Sequence, residues 1–226
     1  MIKACIFDLD GTLTNTLKTL AHFVNTETAK YGLPPAPVDA FKYFAGNGAR
    51  TLIQRVLAYH HSSDTQLEDR ILKDYNAAYD SNFLYLCTLY SGVEEMIAQL
   101  QKKMIKLAVL SNKPQPTTEK VVEAFFGTTV FSAVFGQREG IPIKPHPAGV
   151  FEILQQFCCE KSECLYIGDT AVDIETGKAA GLDTVGVLWG FRERKELEEA
   201  GASYIIEKPE ELLSLDLFDT CVSEQC

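Results

Sequence analysis

Asp8 and Asp10 lie two residues apart at the end of an apolar run, in Ile6-Phe7-Asp8-Leu9-Asp10-Gly11-Thr12-Leu13. The run from Ile2 to Phe7 reads as a buried strand, and packing gives no reason for a carboxylate at its end. Alternate residues of an extended chain point the same way, so both carboxylates can face one small volume. Gly11 lets the backbone turn, and Thr12 adds a hydroxyl beside the acids. Two carboxylates in one pocket repel unless a cation neutralises them or one keeps a proton. A hard cation with oxygen ligands fits the pair, and Mg²⁺ is the usual one where phosphates are handled.

Other strand ends carry matching chemistry. An apolar run at Ile105 to Leu110 leads into Ser111-Asn112-Lys113, just before a helix that starts at a proline. A second, Cys164 to Ile167, leads into Gly168-Asp169-Thr170, with Asp173 four residues after Asp169. Between them lies Lys144-Pro145-His146-Pro147, a lysine fixed by the following proline at a helix start. Each has an ordinary explanation alone: Ser111 or Thr170 as a helix cap, Asp173 as a first-turn acid, Lys144 as a solvated charge. Together, in this order and all at element ends, they deliver carboxylates, a hydroxyl and an ammonium to one rim.

The elements that must position these residues form two groups. From about residue 15 to 89 there is almost no strand signal. Helical periodicity runs from Thr16 to Tyr31, then around Asp39 to Phe44, Gly48 to Tyr59 and Thr65 to Asp80. From Ser91 onward, helices alternate with short apolar strands at Ile105–Leu110, Val130–Phe135, Cys164–Ile167, Thr184–Val187 and Tyr204–Ile206. Such alternation predicts an α/β fold, a parallel sheet covered on both faces, with ligands beyond the carboxyl ends of its strands. The expected division is a core of residues 1–14 and 90–215, an α-helical insertion of residues 15–89, and a polar tail of residues 216–226.

Composition excludes several classes of function. The 226 residues carry a formal net charge of −10, which argues against nucleic acid or an anionic membrane as partner. No apolar run is long enough to span a bilayer, and the acid at position 8 comes too early for a signal peptide. The seven cysteines are odd in number and lack metal-type spacing. They read as reduced thiols of a cytoplasmic protein with no catalytic part.

The four segments resemble the motifs of the haloacid dehalogenase superfamily, in its phosphatase branch with a helical cap inserted after the first motif. Asp8-Leu9-Asp10-Gly11-Thr12-Leu13, Leu110-Ser111-Asn112-Lys113, Lys144 with its prolines, and Gly168-Asp169-Thr170 with Asp173 carry the resemblance. It implies a Rossmann-like core, Mg²⁺ dependence and phosphoryl transfer through an aspartyl-phosphate. Asp8 would be the nucleophile, and Asp10 the acid for the leaving oxygen and then the base for water. Asp8, the Asp10 backbone carbonyl and Asp169 would hold the metal, with Asp173 outside that ligand set. Lys144 would bridge Asp8 and the phosphoryl group, while Ser111 and backbone N–H groups near Asn112 hold its oxygens.

Within that branch, Gly46-Asn47-Gly48-Ala49 and Trp189-Gly190 look most like phosphoglycolate phosphatases. Gly46, Asn47 and Gly48 precede a helix, whose free N–H groups favour an anion, and Arg50 lies in its first turn. The carboxylate of 2-phosphoglycolate would suit this loop; a plain glycine-containing helix start reads equally well. A phosphosugar mutase uses the same core, and a sugar phosphate or pyrophosphate is an alternative small substrate. Asp10 disfavours a dehalogenase or a phosphonate hydrolase. Retention of every catalytic position disfavours a non-enzymatic binding module. A monomer or homodimer is expected. Lys113 is either a phosphate-attracting charge or a solvated helix-start residue, and His22, His60, His61 and His146 read as packing or surface.

Overall fold

The computed structural model describes residues 1–218. Its first strand, β1 (Ala4–Phe7), is buried at every position. Cys5 and Phe7 enter one hydrophobic cluster with Leu107, Val109, Leu165 and Ile167, while Ala4 and Ile6 enter another with Ala108, Ile153 and Tyr166. Period-two alternation with both faces apolar is the pattern of a strand covered by helices on each side.

The chain then forms a short strand, β2 (Thr14–Asn15), followed by helices α1 (Leu17–Ala29), α2 (Phe41–Phe44), α3 (Gly48–Tyr59) and α4 (Thr65–Ser81). A return strand, β3 (Thr88–Leu89), pairs antiparallel with β2. The remainder runs α5 (Val93–Lys102), β4 (Lys106–Pro114), α6 (Gln115–Phe126), β5 (Ala133–Gln137), α7 (Ala148–Phe157), β6 (Cys164–Gly168), α8 (Ala171–Ala180), β7 (Asp183–Val187), α9 (Arg194–Ala200) and β8 (Tyr204–Ile206). The main sheet is parallel, in the order β5-β4-β1-β6-β7-β8. Strand order reverses at β1, which lies between β4 and β6. A crevice opens at the carboxyl end of such a switch point.

Register sets the height of the chemistry. Phe7 pairs with Val109 on one side and Ile167 on the other. The next residues, Asp8, Leu110 and Gly168, are therefore level, and Ser111 and Asp169 stand one residue higher.

Three sequence expectations are corrected. The strand read as Ile105–Leu110 continues to Pro114, because Ser111-Asn112-Lys113 stays extended and Pro114 pairs with Gln137 after an irregularity. The β2–β3 ribbon has no sequence signal, since two residues are too few for a period. The start of the polar tail is held: the Leu217 carbonyl accepts from the Ile2 N–H, and Phe218 is buried in the core. Residues 219–226, including Cys221 and Cys226, lie outside the described residues. Among those described, Cys5, Cys87, Cys158, Cys159 and Cys164 are free thiols, and no helix is long and apolar enough to cross a membrane.

The helices between β2 and β3 share a core of their own around Phe41, Ile53, Val56, Ile71 and Tyr75, joined by Phe191 from the segment after β7. Phe191 is 3% exposed, so Phe191→Ala should cost about 3–5 kcal/mol. A matching fall in thermal midpoint, with faster proteolysis near residues 14–16 and 88–90, is the expected result. An unchanged cleavage rate there would show that Phe191 does not tie the two parts together.

Candidate active site

Lys144 is the centre of the site. It is buried, and its Nζ donates to Asp8 Oδ1 and to Asp173 Oδ1, each at 2.7 Å. Burial alone would lower its pKa, but Asp173 and Asp8 carry it well above its ordinary value, so it stays charged. Asn112 holds the lysine in place. Its Oδ1 accepts from the Lys144 N–H at 2.9 Å, and its Nδ2 donates to the Lys144 and Gly46 carbonyls, each at 3.1 Å. The Asn112 side-chain amide is thus committed to backbone and fixes Lys144, which leaves only backbone N–H groups near Asn112 for the expected substrate contact.

Asp8 ends β1 with only Oδ1 bonded; Oδ2 has no hydrogen-bond partner among the described residues. The N–H groups of Leu9 and Asp10 are likewise unpartnered there. A carboxylate oxygen beside two free N–H donors is what an attack on phosphorus with stabilised oxygens requires. Ser111, buried next to it, accepts from the Lys113 N–H and keeps its own hydroxyl proton to donate.

Asp8, Asp169 and Asp173 offer carboxylate oxygens that all lie within 4.8 Å of one another. Burial above all, then Asp173, lifts Asp8 to about 7, with Lys144 opposing; burial likewise holds Asp169 well above its ordinary value. Once ionised, three buried acids outnumber the one ammonium, and an all-oxygen set is the donor chemistry that suits Mg²⁺. The Asp10 carbonyl accepts no hydrogen bond among the described residues, so it is free to join them. Asp173 enters this group more closely than a position outside the ligand set implies. Its oxygens are also well occupied, by Lys144 and by the hydroxyl and N–H of Thr170.

Asp169 is gripped from two sides. Thr12 Oγ1 donates to it at 3.3 Å and the Phe191 N–H at 2.7 Å. Gly11 has φ +98°, and a Cβ there would stand 2.3 Å from Asp169 Oδ2. At Gly190 a Cβ would stand 2.3 Å from Asp169 Cβ. Trp189 locks the same turn, its Nε1 donating to the Thr12 carbonyl at 2.9 Å. Sequence reading noticed Trp189-Gly190 without seeing this role.

On the other side of Asp8, Asp10 carries a buried partner that spacing does not disclose. Lys113 Nζ meets its two oxygens at 2.7 and 2.9 Å, so Lys113 is neither solvated nor a free phosphate attractor. Burial would lower the lysine pKa, but Asp10 beside it raises it, so the lysine stays charged.

A cavity of about 70 Å³ lies between these groups and the helical insertion. It is far smaller than the roughly 300–1,000 Å³ of pockets for drug-sized ligands. Gly46 and Gly48 line it, with Tyr75, Asn76 and Tyr79 of α4. Two expected residues turn away. Arg50 pairs with Glu68 at 2.5 Å and Asp69 at 2.9 Å, because α4 presents those acids beside it. Asn47 accepts from Arg55 at 2.8 Å, and the same guanidinium binds the carbonyls of residues 43–45, which fixes the loop.

A family model described as haloacid dehalogenase-like hydrolase matches residues 5–187. The chain belongs to the haloacid dehalogenase-like hydrolases. The hydrolase is 34% identical over 215 residues to a phosphoglycolate phosphatase of Haemophilus influenzae, covering 92% of this chain and 96% of that one. It is 32% identical to a phosphoglycolate phosphatase of Pasteurella multocida, with the same coverage. A crystal structure of a predicted phosphoglycolate phosphatase from Haemophilus somnus superposes with TM-score 0.87 at 28% identity, covering 94% and 97% of the chains.

Two measurements on the hydrolase follow from the acid cluster. A buried acid with a raised pKa costs stability once ionised; the cost is absent below its ordinary range and complete above about 7 for Asp8. Mg²⁺ bound at these acids would relieve that cost and compete with the proton, so its increment to the thermal midpoint should grow from pH 6 to pH 8. An increment that shrinks over that interval would contradict a cation at these acids. Gly190→Ala should displace Asp169 and raise the Mg²⁺ concentration needed for activity about 10- to 100-fold. An unchanged requirement would show that the turn yields without moving the acid.

Proposed function

We propose that this phosphatase hydrolyses 2-phosphoglycolate by an Mg²⁺-dependent route through an aspartyl-phosphate on Asp8. The observation that carries the reading is Asp8 itself, with one oxygen on Lys144, one without a partner, and free N–H donors beside it. The small cavity and the names of the relatives support the substrate.

Asp8 attacks phosphorus in line, forming the acyl phosphate as the bond to the glycolate oxygen breaks. Lys144 and the N–H groups of Leu9 and Asp10 offset the charge on the phosphoryl oxygens, with the Ser111 hydroxyl donating to a third. Asp10, in its protonated form, gives that proton to the departing oxygen. It then takes one from the water that attacks phosphorus and releases Asp8 with inorganic phosphate. Asp8, Asp169 and the Asp10 carbonyl, with Asp173 alongside, would hold Mg²⁺, which would supply the neutralisation that lets an anion approach a dianion. Gly46 and Gly48 bring backbone to the substrate's other end. A cytoplasmic setting without nucleic-acid or membrane partners accords with the net charge of −10.

Release of inorganic phosphate from 2-phosphoglycolate, glucose 1-phosphate, pyrophosphate and an aryl phosphate tests this directly. The highest kcat/KM should fall to 2-phosphoglycolate, EDTA should abolish it, and Asp8→Asn should reduce turnover to background in a folded protein. Full activity in EDTA, or near wild-type activity in Asp8→Asn, would defeat the mechanism. Conversion of glucose 1-phosphate to glucose 6-phosphate without free phosphate would make the enzyme a mutase.

A further inference from the structure

Beside Asp10 the cavity is lined by one ammonium, Lys113, and by two phenols, Tyr75 and Tyr79, of which Tyr79 lies against that ammonium. Lys113 is the only cationic side chain among the residues that line it. Its Nζ sits 4.8 Å over the Tyr79 ring while it grips Asp10. Tyr79 is 4% exposed and lines the cavity, yet its buried hydroxyl donates no hydrogen bond among the described residues. A buried phenol normally finds one. The nearby walls are apolar, from Leu20, Ala45 and Leu52. Apart from Asp8 and Asp10, the cavity's one carboxylate is Asp80, and it is engaged by the Thr117 hydroxyl at 2.7 Å.

We propose that Lys113 and the Tyr79 hydroxyl bind the second anionic group of the substrate, its carboxylate, and that this binding draws the Lys113 ammonium off Asp10. The inference rests on the reading of the chain as a 2-phosphoglycolate phosphatase and names the residues that select that substrate. Lys113 holds both Asp10 oxygens, so neither is free to turn to the leaving oxygen. An incoming carboxylate offers the ammonium an equivalent partner in a poorly polarisable pocket, so the ammonium is never left bare, while the Asp10 oxygens are released to face the substrate. The unspent phenol O–H supplies the carboxylate with a second donor. Burial lifts the phenol to about 12, which keeps it a donor at neutral pH. A substrate with an uncharged tail leaves Lys113 on Asp10, and loses kcat as well as affinity. Lys113 is then a positioning residue for Asp10 and a binding residue for the substrate.

The test compares 2-phosphoglycolate with ethyl phosphate, which keeps two carbons and lacks the carboxylate, in the Mg²⁺-loaded enzyme. Wild type should show a kcat advantage for 2-phosphoglycolate. Tyr79→Phe should lower kcat/KM for 2-phosphoglycolate more than for ethyl phosphate. A binding arm covers variants that lose turnover: calorimetry with 3-phosphonopropionate, in which carbon replaces the bridging oxygen, against propylphosphonate. Wild type should prefer the carboxylate by at least about tenfold, the low end for a close charge pair, and Lys113→Met should erase that preference. Wild type without any preference for 2-phosphoglycolate over ethyl phosphate overturns both this proposal and the substrate reading. A wild-type preference that survives in Lys113→Met, or equal losses on both substrates in Tyr79→Phe, overturns this proposal alone.

Discussion

One buried ammonium holds the site together. Lys144 joins Asp8 at the end of β1 to Asp173 in the first turn of α8, from a loop belonging to neither. Without it, these acids would face each other across a low-dielectric interior, where repulsion is strong and unscreened. The surrounding structure serves to keep that ammonium in place: Asn112 binds its backbone on both sides, and Pro145 and Pro147 limit the loop's freedom. The sheet order supplies the rest. Because β1 lies between β4 and β6, the residues that follow each strand meet without a long loop.

The helical insertion is tied to this centre at a few points. Asn112 reaches the Gly46 carbonyl, Arg192 reaches the Ala45 carbonyl at 3.2 Å, and Thr117 reaches Asp80. Each tie starts from a residue next to the chemistry or just past it. The same amide that positions Lys144 therefore also positions the loop at the cavity wall, so lid and catalytic lysine share one support. Phe191 adds an apolar tie from the turn that presents its N–H to Asp169.

Much of this was legible in the chain because strand ends and helix starts announce themselves locally. Asp8, Ser111, Lys144 and Asp169 are polar residues directly after apolar runs or before prolines, where no packing role competes. Helix α3 and helix α9 begin and end where periodicity, glycine and charge place them. What stayed hidden depends on direction across space. Arg50 has the right position in sequence, but Glu68 and Asp69 on the neighbouring helix draw it outward. Lys113 reads as a phosphate-attracting or a solvated charge because nothing within ten residues says that Asp10 will lie beside it. Nothing in the sequence singles out Tyr79, since an aromatic within a helical segment gives no sign that its hydroxyl will donate to nothing.

Trp189 is the chain's sole tryptophan, and its indole N–H rests on the backbone of Thr12, whose hydroxyl touches Asp169. The intrinsic ultraviolet emission of the enzyme therefore has a single tryptophan source, placed behind the acid cluster. Polarity and hydrogen bonding at that indole follow the turn that carries Gly190 and Phe191. The protein thus contains its own optical label for the loading of the site, readable without a dye and without turnover.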